Sequence, residues 1–391
     1  MDIHRFLDDN ETGYRQDLGQ ESTALLESLG LLVTRQEVLS RIDPCKRLVL
    51  YGCGAGGGGA VRHLTAKGIR PAVICDTYST AKSAYGFEVV KPQWLVEHKH
   101  EIQILITTFH YKEVIDMLLQ MGLAKLAIGI FAELSQFESY QSGRLNSDID
   151  KIRQAFALLN DQESKQVFIN LLRYKLDGNP IHYLRTSDLH SGYDPIDKIP
   201  AHTFTSEVLT LSEDEVLADC GANDGDTIRQ FIALTKGKFK QIVGFEPDRN
   251  SLVSFRKWLD AQHDARISIE PFGVYKERAT LGFVENNKGS MISSSETANT
   301  IEVIDLDHYL DRGFTLIKMN IEGAELDALH GAEQMIKKLR PKLIIYAYHD
   351  TTHLWELLLY IASLLGQEKA RFFLRHDGYS HTETLLYVLP Q

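Results

Sequence analysis

The chain has 391 residues, of which 43% are hydrophobic and 24% are charged, so it is long and apolar enough for two or three soluble domains with separate cores. Its formal net charge of −11 and the lack of a long basic run argue against nucleic-acid partners and against binding to an anionic membrane. A polar N-terminus, no apolar stretch near the ~18 residues of a membrane span, and four cysteines without a CxxC pair predict a cytoplasmic protein.

The first part of the chain is predicted to be a helical segment followed by an α/β domain. Apolar residues at helical spacing, such as Leu25, Leu29 and Leu32, predict helix within residues 15–41. Strands are then expected at 47–51, 72–75 and 102–107, and helices at 60–67 and 111–121. Because alternating strands and helices are typical of a parallel sheet, we expect a Rossmann-like domain at residues 42–138.

A helical stretch at 147–178 and a polar loop, linker or lid at 178–199 come next, so residues 139–205 are predicted to be a linker and lead-in.

The alternation then starts again in residues 206–391. The expected strands are 216–220, 241–245, 267–270, 316–320 and 342–348, the expected helices are 227–234, 252–259, 326–339 and 352–365, and 371–374 with 384–388 form a closing hairpin. The predicted fold class is therefore α/β, with two doubly wound Rossmann-like sheets joined by a helical linker.

The first glycine turn, Gly52–Gly59, contains no acid and matches GxGxxG through Gly52, Gly54 and Gly57. Its amides can receive a phosphate, and Asp76 at the end of the next strand can accept a hydrogen bond from a ribose hydroxyl. The same glycines also suit a tight turn without a ligand. This domain resembles the Rossmann-like domain of some sugar acyltransferases and sugar C-methyltransferases. A second nucleotide or nucleotide-sugar site, a scaffold role and homo-oligomerisation all remain open.

The second glycine turn is acidic, with Asp219, Asp224 and Asp226 in one short stretch. We expect Asp219 at the open end of a cleft, where it would repel a pyrophosphate and attract a cationic ligand without phosphate. Glu246 ends the next predicted strand, where its carboxylate oxygens can accept hydrogen bonds from both ribose hydroxyls. S-adenosylmethionine, a sulfonium nucleoside with an amino group, fits both requirements.

Four ordered motifs resemble those of FkbM-type methyltransferases. They are Asp219-Cys-Gly-Ala-Asn-Asp-Gly225, Gly244-Phe-Glu-Pro247, Ile304-Asp-Leu-Asp307 and Lys318-Met-Asn-Ile-Glu-Gly-Ala-Glu325, and the segments Ser164–Gly178 and Leu385–Pro390 are similar as well. The resemblance covers about half of the chain. It implies a class I methyltransferase fold, S-adenosylmethionine as cofactor, and O-methylation of a hydroxyl on a sugar, glycan or secondary metabolite.

The resemblance also implies roles for individual residues. The turn would hold the methionine end of the cofactor, Glu246 the ribose, and Gly273 with Val274 the adenine. The candidate cofactor-binding residues are Asp219, Gly221, Asn223, Gly225, Thr227, Glu246, Pro247, Gly273 and Val274.

The sequence departs from the family pattern at Asn320, where an aspartate is usual. Asparagine cannot take a proton at neutral pH and is a weak ligand for hard cations, so either another residue supplies the base or the chemistry is altered. The candidate catalytic residues are His349, Glu322 and Asn320. Glu325 is a further candidate base, although its place in the first turn of a helix favours a capping role. No histidine or cysteine spacing matches a metal site, so no metal is expected.

Two other functions remain open at this point. The first domain is compatible with a nicotinamide-dependent oxidoreductase, although no Tyr-x-x-x-Lys pair follows it. Asn320 is compatible with a cofactor-binding module that has lost catalysis. The polar stretch Asn286–Ser295 is interpreted as a loop that closes over the substrate or as an ordinary exposed loop.

Overall fold

The computed structural model describes residues 2–10, 20–108, 110–131, 142–183, 203–204, 207–284, 291–293, 299–376 and 383–391, with the backbone alone for 20–23, 142–144, 283–284 and 291–293. The chain divides into two compact units. The N-terminal unit comprises Met1–Ile149, Ile169–Ser191 and Gly378–His381, and the C-terminal unit comprises Asp150–Phe168, Gly192–Asp377 and Thr382–Gln391.

The N-terminal unit contains a six-stranded sheet with helices. Its helices include α1 (Ile3–Asp9), α2 (Gln20–Ser28), α3 (Arg35–Ser40), α4 (Ala55–Ala66), α5 (Pro92–Glu97), α6 (Tyr111–Gln120) and α7 (Ser142–Ser147), and its strands are β1 (Arg47–Tyr51), β2 (Val73–Cys75), β3 (Ser83–Ala84), β4 (Phe87–Val90), β5 (Ile102–Ile106) and β6 (Ala127–Ile130). The strand order is β3-β4-β2-β1-β5-β6. All neighbouring strands are parallel except β3 and β4, as expected for a doubly wound sheet.

Helix α4 begins at Ala55, inside the glycine run, so the predicted start at residue 60 is wrong. The reason is close packing. A Cβ atom on Gly57 would collide with the carbonyl oxygen of Gly52, and one on Gly58 would lie 2.7 Å from Cζ of Tyr85. These glycines therefore let the helix approach its neighbours, which outweighs the low helix propensity of glycine.

The C-terminal unit contains two sheets. Its helices include α8 (Ile149–Leu158), the first part of α9 (Gln162–Asp177), α10 (Asp226–Thr235), α11 (Arg249–Gln262), α12 (Glu325–His330), α13 (Glu333–Leu339) and α14 (His353–Leu365). The larger sheet is made of β7 (Val216–Cys220), β8 (Gln241–Phe245), β9 (Ile267–Glu270), β14 (Leu316–Met319), β15 (Lys342–Tyr346), β16 (Ala370–His376) and β17 (Thr384–Pro390), and the smaller of β10 (Gly273–Val274), β11 (Ala279–Val284), β12 (Met291–Ser293) and β13 (Thr300–Ile304).

The larger sheet has the order β16-β17-β15-β14-β7-β8-β9. Strands β9, β8, β7, β14 and β15 are parallel, and β17 is antiparallel to both of its neighbours. From β7 the chain continues to β8 and β9 on one side and later returns to β14 and β15 on the other. The order thus reverses between β7 and β14, and the crevice at the carboxyl ends of such a strand pair is where doubly wound sheets bind ligands.

The observed elements differ from the predicted ones at three places in this unit. The single helix expected at 326–339 is divided into α12 and α13 near Gly331, where a Cβ atom would collide with the carbonyl oxygen of Tyr275. The four-stranded sheet was not predicted. The expected linker 139–205 is not a separate segment, because α8 belongs to the C-terminal unit. Helix α9 is divided between the two units, up to Phe168 in the C-terminal unit and from Ile169 in the N-terminal unit.

Two segments with an expected lid function fall largely outside the described residues. They are 184–199 of the polar linker, and Asn286–Ser295 apart from the strand Met291–Ser293.

Candidate functional site

Strands β7 and β14 end side by side where the order of the sheet reverses. The N–H of Asn320, which follows β14, donates to the carbonyl oxygen of Cys220 at 3.0 Å. Gly221 comes next with φ +80°, and a Cβ atom there would collide with the carbonyl oxygen of Asn320. Glycine alone meets both the backbone angle and the close approach, so the chain turns sharply into the loop that leads to α10.

Asp219 lies inside the unit and not at the open end of the crevice. Its side chain is fully buried, with Oδ1 2.8 Å from Nζ of Lys318 and Oδ2 accepting a hydrogen bond from the Thr227 hydroxyl. Lys318 also donates to the carbonyl oxygen of Gly221 at 3.0 Å. The expectation that Asp219 guards the crevice with its charge is therefore wrong, because the buried ammonium neutralises it. Asp219, Thr227 and Lys318 instead brace the glycine turn.

The acidity of the loop comes from residues further along it. Asp224 pairs with Arg229 at 3.0 Å, and Asp226 is the first residue of α10. Burial raises the pKa of Asp226, an effect that the positive charge of Lys318 only partly offsets. Gly225 precedes the helix with φ +86°, again in the left-handed region that favours glycine.

Glu246, which follows β8, is tied to the same loop. Its Oε2 accepts the N–H of Asn223 at 2.8 Å, and its Oε1 accepts the N–H of Asp248 at 2.8 Å. Burial raises the pKa of Glu246 to about 7, although both hydrogen bonds favour the carboxylate. Asn223 adopts φ +48°, and its Oδ1 accepts the Ser251 hydroxyl at 2.9 Å. Each carboxylate oxygen of Glu246 keeps a second lone pair for another donor.

Gly273 and Val274, which are predicted to lie beside the adenine, are close in space to Pro247, the residue after Glu246. A Cβ atom on Gly273 would lie 3.6 Å from Cγ of Pro247 and 3.1 Å from Cγ1 of Val303. Val274 is buried next to it on β10. The structure therefore brings the Gly273–Val274 strand to Pro247, directly after the predicted ribose-binding carboxylate.

Four further side chains form a second group, which we call the Glu–His cluster: Glu322, Glu325, His349 and His353. His349 follows β15, and its Nδ1 lies 2.8 Å from Oε1 of Glu325, while its Nε2 lies 3.8 Å from Oε2 of Glu322. Nδ1 of His353 lies 3.4 Å from Oε2 of Glu325. The structure thus brings together two predicted catalytic residues, His349 and Glu322, with Glu325 between the two imidazoles.

Charge and burial compete in the Glu–His cluster. Burial disfavours a charged imidazole, but Glu325 and Glu322 outweigh that effect and raise the pKa of His349. For His353, burial outweighs the charges of Glu325, Asp350 and Glu356 and lowers its pKa. Burial also raises the pKa of Glu322. The cluster therefore combines an imidazole of raised pKa, His349, with one of lowered pKa, His353.

Asn320 follows β14 and is close in sequence to Glu322 of this cluster. Its side-chain Oδ1 is buried without a hydrogen-bond partner among the described residues. Sequence reasoning missed Lys318, and for Glu325 it favoured a helix-capping role over that of a base. A lysine within the apolar strand Leu316–Met319 was the available signal for Lys318, since an unpaired buried ammonium is too costly to persist.

The first glycine loop is held by side chains of its own unit. Asp76 accepts the N–H of Cys53 at 3.0 Å through Oδ2 and the N–H of Ser79 at 2.7 Å through Oδ1. These hydrogen bonds outweigh the effect of burial and lower the pKa of Asp76. The hydroxyl of Tyr85 donates to the carbonyl oxygen of Gly54 at 3.0 Å. A nucleotide-binding role for this loop stays a prediction.

Across the described ranges, no group of three or more His, Cys, Asp or Glu side chains is arranged to hold a metal ion. Over the same residues, no helix has the length and hydropathy needed to cross a bilayer.

Comparison with known proteins shows which proteins these residues are similar to. A model of the methyltransferase FkbM domain matches residues 219–379. The crystal structure of methyltransferase FkbM from Methylobacillus flagellatus KT is similar with a TM-score of 0.68 and 24% sequence identity, over 94% of this chain and 96% of that chain. An rRNA methylase from Streptococcus thermophilus gives a TM-score of 0.34 and 18% identity, over 50% of this chain and 97% of that chain. The comparison with curated proteins gave no significant match.

The first of these structures shares the fold over nearly the whole chain. Together with the strand order of the larger sheet, it confirms the predicted α/β class and the methyltransferase fold of the C-terminal unit.

Proposed function

We propose, from the match of residues 219–379 to the methyltransferase FkbM domain, that the protein transfers a methyl group from S-adenosylmethionine to a hydroxyl of a sugar, glycan or secondary metabolite. The methyl donor supplies an electrophilic methyl group on a sulfonium. The protein's own part is to hold the donor, to align the acceptor oxygen and to take its proton.

The observation that carries the cofactor assignment is the arrangement after β7 and β8. The turn at Gly221 leaves no room for a Cβ atom, and the buried carboxylate of Glu246 is tied to the same loop through Asn223. The second lone pairs of Glu246 suit the two hydroxyls of a ribose. With Asp226 nearby on α10, a pyrophosphate would meet like charge here, whereas a phosphate-free sulfonium nucleoside would not.

The remaining candidate residues fit the same ligand. Asn223 and Gly225 would hold the methionine end, and Gly273 with Val274 would lie along the adenine, next to Pro247. Asp219 and Thr227 support this site from beneath the turn and do not touch the ligand, since the Asp219 carboxylate is bound by Lys318 and by the Thr227 hydroxyl.

His349 is the residue that takes the acceptor's proton in this proposal. It follows a strand of the doubly wound sheet, and its raised pKa makes the neutral imidazole a stronger base than an ordinary histidine. Asn320, which cannot take a proton, would use its buried Oδ1 to accept a hydrogen bond from the acceptor.

The test uses the full chain, S-adenosylmethionine with an isotopically labelled methyl group, and a panel of mono- and oligosaccharides and hydroxylated aromatic compounds. We expect labelled product from at least one acceptor. His349→Gln should lower kcat about 100-fold, because general-base catalysis contributes at least that much, while the affinity for S-adenosylhomocysteine stays within twofold.

The matched control is His330→Gln, at the exposed end of α12, which should leave turnover unchanged. Labelled product that carries the methyl group on nitrogen or carbon would contradict O-methylation. Full activity of His349→Gln would remove the base assignment and leave the methyltransferase itself intact.

A further inference from the structure

The carboxylate of Glu325 is fully buried, and both of its oxygens are in use. Oε1 accepts the N–H of Ile321 at 2.9 Å and also lies 2.8 Å from Nδ1 of His349. Oε2 accepts the N–H of Gly323 at 3.1 Å and lies 3.4 Å from Nδ1 of His353. One side chain at the start of α12 therefore connects the loop after β14 with the histidine after β15.

The charge of Glu325 is fixed by these contacts. Burial alone would raise its pKa, but His349, His353 and the backbone N–H groups outweigh burial and lower the pKa to about 2. At neutral pH Glu325 is thus a carboxylate beside an imidazole that is almost fully buried. This is the arrangement in which a histidine keeps a proton on the nitrogen facing the acid and offers the other nitrogen as a base.

We propose that Glu325 is the positioning residue of the methyl-transfer site, holding His349 with Nδ1 protonated and Nε2 available to the acceptor hydroxyl. The inference rests on the proposed function. The O–H bond of the acceptor breaks and an N–H bond forms at Nε2, while the acceptor oxygen bonds to the methyl carbon, the carbon–sulfur bond of the donor breaks and S-adenosylhomocysteine leaves. Glu325 balances the positive charge that the imidazole acquires, and the proton leaves to solvent after release of the product.

Among the described residues, the other charged and polar groups that act on or contact His349 include Glu322, Glu383, His353 and Tyr348. Glu322 and Glu383 both raise the pKa of His349, as Glu325 does. The ring of Tyr348 lies 4.1 Å from that of His349 between centroids. Glu325 differs from the other two acids because its charge has the largest effect on His349 and because, among the described residues, it is the acid that contacts Nδ1.

The Glu325 carboxylate also holds the loop that packs against the glycine turn at Gly221. Glu322 and Gly323 both have positive φ, +56° and +103°, a conformation that is strained for Glu322 because it is not a glycine. The two backbone hydrogen bonds to Glu325 hold this loop in place, and its Ile321 side chain lies 3.2 Å from where a Cβ atom on Gly221 would be. Glu325 thus links the base to the turn that carries the methyl donor.

The first experiment is an NMR titration of the histidines in the full chain, with His349→Gln used to assign the resonance. In the wild-type protein we expect a pKa of His349 above 6.5 and a proton on Nδ1 in the neutral form. In Glu325→Gln the proton affinity of His349 should fall at least tenfold, because a buried imidazole loses its charged partner. This readout does not require an acceptor, so it separates failure of this inference from failure of the proposed function.

The second experiment is the pH dependence of kcat for Glu325→Gln and for Glu333→Gln, an exposed glutamate on the next helix. The midpoint of the rise in kcat should move to lower pH in the first variant, and the plateau should fall about 100-fold. The control should match the wild type.

A purely structural role for Glu325 would lower the melting temperature but leave the pKa of His349 and the midpoint unchanged, and that result would overturn the inference. Glutamine has one acceptor oxygen for two backbone N–H groups, so the variant carries a risk of misfolding. In that event the wild-type titration decides, and a pKa of His349 below 6.5 overturns the inference.

Discussion

Lys318 explains how an acid is accommodated inside the C-terminal unit. Burying an isolated carboxylate costs several kcal/mol, and Asp219 avoids that cost through the ammonium at 2.8 Å and the hydroxyl of Thr227. The sequence identified Asp219 as important because of its place at the end of a strand. It could not show the partner, because Lys318 comes from a distant strand that becomes a neighbour only when β7 and β14 pair.

Removing one member of this pair should strongly destabilise the protein. We expect Lys318→Met to lower the free energy of unfolding by about 3–5 kcal/mol, since the carboxylate of Asp219 is left buried and unpaired. Urea denaturation followed by circular dichroism measures the change.

The control is Lys238→Met, at an exposed pair with Glu213, which should change stability by less than about 1 kcal/mol. The double variant Asp219→Asn with Lys318→Met should lose less than the sum of the single losses, because the two residues interact directly. Additive losses would contradict the pairing.

At the scale of elements, both units use the same strand–glycine–helix construction. A left-handed glycine follows the first strand in each, Gly52 at φ +120° and Gly221 at φ +80°. The acid after the next strand then accepts a backbone N–H from the glycine loop, Asp76 in one unit and Glu246 in the other. The two acids differ in how many carboxylate lone pairs are left for a ligand. Asp76 accepts three backbone N–H groups, whereas Glu246 accepts two.

Much of this construction was visible in the sequence. Strands β7, β8 and β9 were predicted with their observed limits, because they are short apolar runs that end at glycine or acidic residues. The start of α4 was not predicted. Its glycines are helical because they pack against Gly52 and Tyr85, and a local sequence pattern does not reveal such contacts.

The glycine turn before α10 should not tolerate a side chain. We expect Gly221→Ala to destabilise the protein by at least about 2 kcal/mol more than Gly237→Ala. Both glycines have positive φ, but nothing lies within 4 Å of a Cβ atom at Gly237, whereas one at Gly221 would collide with Asn320. The comparison therefore isolates the collision from the backbone strain. Equal losses in thermal denaturation would show that β14 does not approach Gly221 as described.

At the scale of the molecule, the presence of two doubly wound sheets followed from the alternation of strands and helices, but the division into units did not. Helix α8 and the residues after it join the C-terminal unit through contacts that are distant in sequence. Leu159 forms a bridge with Phe372, and Asp161 pairs with the buried Arg375 at 2.7 Å. The small sheet was missed because two of its strands have two or three residues and give no measurable periodicity.

The central claim is that the C-terminal unit binds a phosphate-free sulfonium nucleoside through Glu246. Isothermal titration of the full chain with S-adenosylhomocysteine tests it most directly, using Glu246→Ala and the exposed-site control Glu277→Ala. We expect one ligand per chain, at least tenfold weaker binding by Glu246→Ala, and an unchanged affinity for the control. Because the pKa of Glu246 is raised to about 7 and its carboxylate is the form that accepts both ribose hydroxyls, wild-type affinity should rise as the pH increases through that value. No binding of S-adenosylhomocysteine, or displacement of it by NADH at the same site, would contradict the claim.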